Sequence, residues 1–180
     1  VPFLNMLGVE TEWKVICGTR EYFESTKELH NLLQGKAGTF SPERRQTYLC
    51  TLEECARQNL IDYEPDVIDV HDPQPLGLNY YLRRPGETWL WRCHIDIDKE
   101  TIEGNPGLWD FFTEWAGRYD AAIFSAAQYI LSRWPLPKFI IPPFIDPISE
   151  KNRELSQDEI DRVLTKYHIA PEAPIIAQIG

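Results

Sequence analysis

The chain has 180 residues, 43% of them apolar and 12% aromatic, with 18 basic against 28 acidic side chains and a formal net charge of −10. That length suits one domain, or one domain with part of another, and the apolar share is enough for a packed core, which excludes general disorder. The acidic balance, with no basic stripe, argues against nucleic acid or an anionic membrane as partner, and no apolar run approaches the length of a membrane span.

Val1–Gly8 reads as the tail of a helix, with no cap before it and no basic region or cleavage site of a signal peptide. Glu12–Cys17 follows as a strand-like run. Lys27, His30, Asn31 and Gln34 then fall at i, i+3, i+4 and i+7 of a helical pattern. That polar row is either a solvated face or the polar wall of a sugar pocket. Gly35-Lys36-Ala37-Gly38-Thr39 comes after the helix, where glycines form a C-cap and loop rather than a phosphate cradle. Ser41-Pro42-Glu43 is an N-cap followed by proline at the first helical position, opening a helix expected to run to about Leu60.

Asp66–His71 is the next strand, rich in β-branched residues, and it delivers His71-Asp72-Pro73-Gln74-Pro75. Pro73 bars Asp72 from helical geometry and suits the first position of a helix, so Asp72 is expected to be its N-cap. His71 then sits at the carboxyl end of a strand, where open α/β sheets bind ligands. A second strand, Thr88–Asp96, brings His94 and Asp96 to the same edge, and alternation places His94, Asp96 and Asp98 on one face. Trp89 and Trp91 are expected mainly in the core, with one able to stack on a pyranose ring. Arg92 and Arg133 are candidate partners for the acidic cluster.

Asn105-Pro106 opens a helix whose Trp109, Phe112 and Trp115 form an apolar face. Strands are expected at Ala121–Ser125, Lys138–Ile141 and Pro174–Ile179, with a capping box at Ser156-Gln157-Asp158-Glu159 before the last one. Alternating strands and helices imply an α/β fold, a Rossmann-like parallel sheet flanked by helices. Pro142-Pro143-Phe144-Ile145-Asp146-Pro147, with three prolines in six residues, is a stiff connector and the expected boundary between residues 1–147 and 148–180. Both ends read as cut: a leading strand and loop, and most of a second domain, are expected outside this segment.

Cys17, Cys50, Cys55 and Cys93 show no paired spacing. Buried free thiols, Cys17 and Cys93 among them in apolar strand patterns, point to the cytoplasm. Ser125 lacks the glycines of a nucleophile elbow, and neither a Walker loop nor a dinucleotide fingerprint occurs. His71, Asp72, His94 and Asp96 are chemically adequate for a divalent ion, but zinc-type ligand spacings are absent and no metal is expected.

Four stretches taken together are more specific. They are Thr26-Lys27-Glu28-Leu29-His30-Asn31-Leu32-Leu33-Gln34-Gly35, His71-Asp72-Pro73-Gln74-Pro75, Trp89-Leu90-Trp91-Arg92-Cys93-His94-Ile95-Asp96, and the run from Ile141 through Pro147 to Asn152. In this order they resemble the trehalose synthases of retaining glycosyltransferase family 4. The resemblance implies the N-terminal half of a GT-B type two-domain glycosyltransferase. Residues 1–147 would be its acceptor-binding domain, short of the family's glycine-rich loop, and 148–180 the linker with the first helix and strand of the donor domain.

It further implies transfer of glucose from a nucleoside-diphosphate glucose to glucose, with retention, to form trehalose. In the resemblance His94 and Asp96 are the catalytic residues: His94 hydrogen-bonds the transferred glucose near C6, and Asp96 orients Arg92 or the acceptor. His71, Asp72 and Gln74 grip acceptor hydroxyls, with Lys27, Asn31 and Arg92 as further substrate-binding residues. No cofactor is implied. The partners would be glucose or trehalose and, through the other domain, the nucleotide sugar; a homodimer stays open, and the segment by itself is expected to be inactive. Two alternatives stand beside this: a metal-dependent hydrolase built on His71, Asp72, His94 and Asp96, and a non-catalytic sugar-binding fragment.

Overall fold

In the computed structural model, the described residues are 1–58, 64–146, 149–172, 174–176 and 178. Five of the helices start where the sequence supplies a side-chain cap. Thr19 accepts the N–H of Tyr22 at the start of α2 (Arg20–Leu33), and Ser41 accepts that of Arg44 before α3 (Pro42–Arg57). Asp98 and Asn105 do the same for α5 (Lys99–Gly104) and α6 (Pro106–Ala116), and Ser156 with Glu159 forms a full capping box at α7 (Gln157–Lys166). Each cap satisfies an otherwise orphaned amide of the first turn. The described residues also form two short α-helices, α1 (Pro2–Met6) and α4 (Leu78–Leu82).

Among the described residues four strands, β1 (Val67–His71), β2 (Thr88–Cys93), β3 (Ala121–Phe124) and β4 (Lys138–Ile140), pair in sequence order and all in parallel. The α/β, Rossmann-like expectation is therefore met. Trp89, Trp91 and Cys93 alternate along β2 onto its buried face, and all three are fully buried. Trp91 meets Phe112, Phe124 and Trp134 edge to face, at centroid distances of 5.4, 6.1 and 5.6 Å. That aromatic packing ties β2 to α6 and to the chain after β3. The other face is less covered: Val67 is 53% and Phe139 55% exposed. Among the described residues no helix is long and apolar enough to cross a membrane.

Several expected boundaries move. Glu12–Cys17 is not a strand; residues 9–19 run without regular structure. Cys17 is consequently exposed rather than packed in a sheet, as is Cys50, while Cys55 and Cys93 are buried, and all four thiols are free. Burial pushes the Cys93 thiol up to about 12. β2 stops at Cys93, where its pairing to β3 also ends, although the alternation of exposed and buried residues continues through Asp98. α3 ends at Arg57; Leu60, the expected end, lies outside the described residues. Pro174–Ile176 and Gln178 form no strand, and Ala177 and Ile179 lie outside the described residues.

The chain divides into two compact units, Val1–Pro143 and Phe144–Gly180, whereas the sequence placed its boundary at Pro147, outside the described residues. The second unit is organised around α7, where Arg153 pairs with Glu150 and with the capping residue Glu159.

Candidate active site

The site grows out of the β1–β2 pairing. Val70 is in register with Trp91 and His71 with Arg92, so the strands finish together and release His71-Asp72 and His94 side by side. The N–H of Asp72 still donates to the carbonyl of Arg92, at 2.8 Å. Asp72 then turns into the left-handed region, φ +67°, a conformation that Asp and Asn tolerate better than most residues. In this turn its carboxylate accepts the backbone N–H of His94 at 2.9 Å. Asp72 is therefore not a helix N-cap. Residues 73–77 form turns, and α4 begins only at Leu78.

Nδ1 of His71 lies 2.9 Å from Nε2 of His94, with the rings stacked at 5.0 Å and 25°. On the same face of β1 as His71, Asp69 places Oδ2 3.5 Å from Nε2 of His71 and accepts Nε of Arg92 at 3.2 Å. Burial by itself would raise the Asp69 carboxyl, but hydrogen bonding and charge from His71 and Arg92 outweigh it and hold the carboxyl below the usual range. His94 moves down from the ordinary histidine value. Burial is the largest cause, His71 and Arg92 add to it, and the carboxylates of Asp72 and Asp69 oppose it.

The loop that carries Asp72 is gripped by side-chain donors from beneath. The indole N–H of Trp91 donates to the carbonyl of Asp72 at 3.0 Å, Tyr48 to that of Pro73 at 2.8 Å, Tyr22 to Gln74 at 2.7 Å and Tyr119 to Leu76 at 2.7 Å. The Tyr48 hydroxyl also accepts the N–H of Gly77, at 3.1 Å. Burial pushes all three phenols up, so they remain hydroxyl donors. Gly77 packs tightly against α3: a Cβ there would lie 2.8 Å from Leu52.

Above this loop is a cleft of about 580 Å³. Its wall includes Asp69, His71, Asp72, Gln74 and His94, with Pro75, Leu78 and Leu82 on its apolar side. Trp13, from the irregular segment before α2, also lines it, 61% exposed and edge-on to His71 at 5.3 Å. Apolar walls with a few convergent polar groups are the usual lining of a small-molecule site.

The structure thus brings His71, Asp72, Gln74 and His94 together. It does not bring Lys27 and Asn31 to them: both line a separate recess of about 350 Å³ with Glu24, Lys36 and Thr39. Arg92 is engaged by Asp69 rather than by Asp96, and Asp96 is exposed, outside the cleft wall. Asp98 caps α5. Arg133 lies 4.0 Å from Glu103 and over the ring of Trp109. Among the described residues no three or more His, Cys, Asp or Glu side chains are grouped to hold a metal ion. Sequence reasoning missed Asp69, Trp13 and the three tyrosines. Only Asp69 left a signal, since a residue two before His71 on a strand shares its face.

Comparison with known proteins places the chain. The family described as "Trehalose synthase, N-terminal domain" matches residues 1–131. Curated proteins named trehalose synthase match the whole chain, with 38% identity in Thermococcus litoralis, 40% in Pyrococcus horikoshii and 34% in Rubrobacter xylanophilus. The chain spans 43% of the first of these relatives, 42% of the second and 43% of the third. Among solved structures, a trehalose-6-phosphate synthase superposes with a TM-score of 0.61 at 17% identity, over 82% of this chain and 39% of that one. A structure from E. coli described as bound with UDP-2-fluoro glucose gives 0.61 at 15% identity, over 88% and 45%. At such identities the likeness establishes the fold, the Rossmann-like N-terminal half of the GT-B type. On the family match and the curated relatives, this chain belongs to the trehalose synthase family and corresponds to its N-terminal domain.

Proposed function

We propose that this chain is the acceptor-binding part of a retaining glycosyltransferase that moves glucose from a nucleoside-diphosphate glucose to glucose, forming trehalose. The observation that carries the reading is the meeting of His71, Asp72, Gln74 and His94 on one cleft wall at the carboxyl tips of β1 and β2. The family's trehalose synthases supply the reaction class. Asp72 and Gln74, with His71, grip acceptor hydroxyls, and His94 hydrogen-bonds the transferred glucose. Hydrogen bonding of this kind discriminates among sugar isomers, because a wrong isomer leaves buried polar groups unpaired. Glycosidases generally flank the scissile bond with two carboxyl groups. Here the departing phosphate assists the acceptor hydroxyl, and these residues contribute position and electrostatics.

Residues 1–147 are the acceptor domain in this reading, and the nucleotide sugar is held by a second domain. Four free thiols suit a reducing compartment, so a cytoplasmic setting goes with it. The test is His94→Ala in the complete enzyme, which removes most glucose transfer while leaving the fold intact. Transfer at a near-normal rate would count against the assignment.

A further inference from the structure

Two imidazoles joined through one nitrogen each share a hydrogen, and the direction it points decides what each ring offers at its other nitrogen. Here Nδ1 of His71 faces Nε2 of His94 at 2.9 Å, which leaves Nε2 of His71 and Nδ1 of His94 for other partners. The first of these has one: Oδ2 of Asp69 lies 3.5 Å away, and the same oxygen takes Nε of Arg92 at 3.2 Å. An ionised carboxylate offers only acceptors, so the nitrogen that faces it carries a hydrogen.

We propose that Asp69, fixed by Arg92, is a positioning residue that polarises the His71–His94 pair. It keeps hydrogen on Nε2 of His71, so that Nδ1 of His71 accepts from Nε2–H of His94. Nδ1 of His94 is thereby left as a bare acceptor for a hydroxyl hydrogen. A sugar hydroxyl meeting that nitrogen donates to it and keeps its own oxygen lone pairs for other contacts. Only this last step rests on the proposed sugar-transfer reading; the polarisation itself stands on the geometry of the two strands.

The arrangement is built into the sheet. Asp69 and His71 share a face of β1 by alternation, and His71 is in direct register with Arg92 on β2. The other groups around the pair leave the direction unchanged. The Asp72 carboxylate takes the backbone N–H of His94. Trp13 and His71 meet edge to face, 5.3 Å between ring centroids. Glu12, Lys14 and Gln74 are the other polar residues on the cleft wall, and Lys14 pairs with Glu12 at 3.0 Å. Burial favours the neutral form of His94, in which each ring nitrogen is either a donor or an acceptor, so the direction carries information.

Long-range 1H–15N NMR of the whole chain, labelled at its histidines and recorded at about pH 8, reads the tautomers directly. The expected wild-type pattern is Nε2–H on both His71 and His94. Asp69→Ala removes the anchoring acceptor, and both rings should then shift toward a mixture of Nδ1–H and Nε2–H forms. Nδ1–H on His71 in the wild type, or an unchanged pattern in Asp69→Ala, overturns the proposal. The wild-type spectrum decides even if Asp69→Ala fails to fold. Glucose titrated into the same sample tests the other reading separately. With the expected tautomers in place, shifts at His71, on the acceptor side of the pair, support the sugar reading, and their absence removes it while the polarisation stands.

Discussion

The carboxylate of Asp72 accepts the backbone N–H of His94 at 2.9 Å, bridging the turn after β1 to the end of β2. This one bond joins the residue expected to hold the acceptor to the residue expected at the reaction centre. It forms because Asp72 sits at φ +67°. Asn can accept the same bond and also tolerates that conformation, whereas Ala can do neither well. Asp72→Asn should therefore keep stability within about 1 kcal/mol of wild type, and Asp72→Ala should lose about 2 kcal/mol. Urea unfolding of both variants checks the order, and equal losses would show that the bond contributes little.

A second expectation concerns the tyrosine supports. Tyr48 is fully buried and makes two bonds to the loop, donating to Pro73 and accepting from Gly77. Tyr22, just as buried, makes one, to Gln74. Removing a hydroxyl leaves each partner without its bond, at about 1–3 kcal/mol where the partner is buried. Tyr48→Phe should thus cost more than Tyr22→Phe, and both should weaken sugar binding without any contact to the ligand. Calorimetric unfolding and glucose titration of the two variants test it; a larger loss for Tyr22→Phe would contradict the account.

Most of the scaffold was legible in the sequence, and for physical reasons. The Ser41-Pro42, Asn105-Pro106 and Ser156–Glu159 starts all cap helices, because capping is local and its residue types are few. β1 and β2 were legible from their β-branched and alternating patterns. What failed depended on neighbours distant in the chain. Glu12–Cys17 has the composition of a strand, but a strand exists only where another pairs with it. Asp72-Pro73 reads locally as a helix start, yet Trp91, Tyr48, Tyr22 and Tyr119 hold the carbonyls of this loop in a turn instead. No local rule shows that a buried tyrosine 43 residues away will bind Leu76. Of the polar row Lys27, His30, Asn31 and Gln34, Lys27 and Asn31 line a recess apart from the cleft, because which neighbours a helix face meets is not written in its spacing.

Acid sensitivity follows from the lowered proton affinity of His94, which burial chiefly causes. The unfolded chain takes up this proton near the ordinary value of 6.5, while the folded chain resists it. Below that pH the unfolded state binds more protons, so stability falls as pH falls. Asp69 acts lower down. Burial would raise it, but His71 and Arg92 bring it below its ordinary 3.8, so its contribution is lost only as pH falls through and below that value. Between about pH 6.5 and 4, then, His94 is the group to watch. Wild type should lose more stability from pH 8 to pH 5 than His94→Gln, measured by urea midpoints at the two pH values. Parallel losses would show that His94 titrates alike in both states.

Trp91 and Trp89 separate core packing from support of the site. Both are fully buried on β2, so truncating either leaves a void and costs transfer and cavity energy. Their indole N–H groups differ in partner, however. Trp91 donates to the carbonyl of Asp72, inside the loop that forms the cleft wall, whereas Trp89 donates to the side chain of Glu87 at 2.9 Å, at the far end of the strand. Trp91→Phe therefore strands a carbonyl of the functional loop, and Trp89→Phe leaves a carboxylate near solvent. Both variants should lose about 2–3 kcal/mol in unfolding, but only Trp91→Phe should shift the amide resonance of His94, because the Asp72 turn that accepts it has lost its anchor. Equal His94 shifts in the two variants would mean that the core, rather than this bond, holds the turn in place.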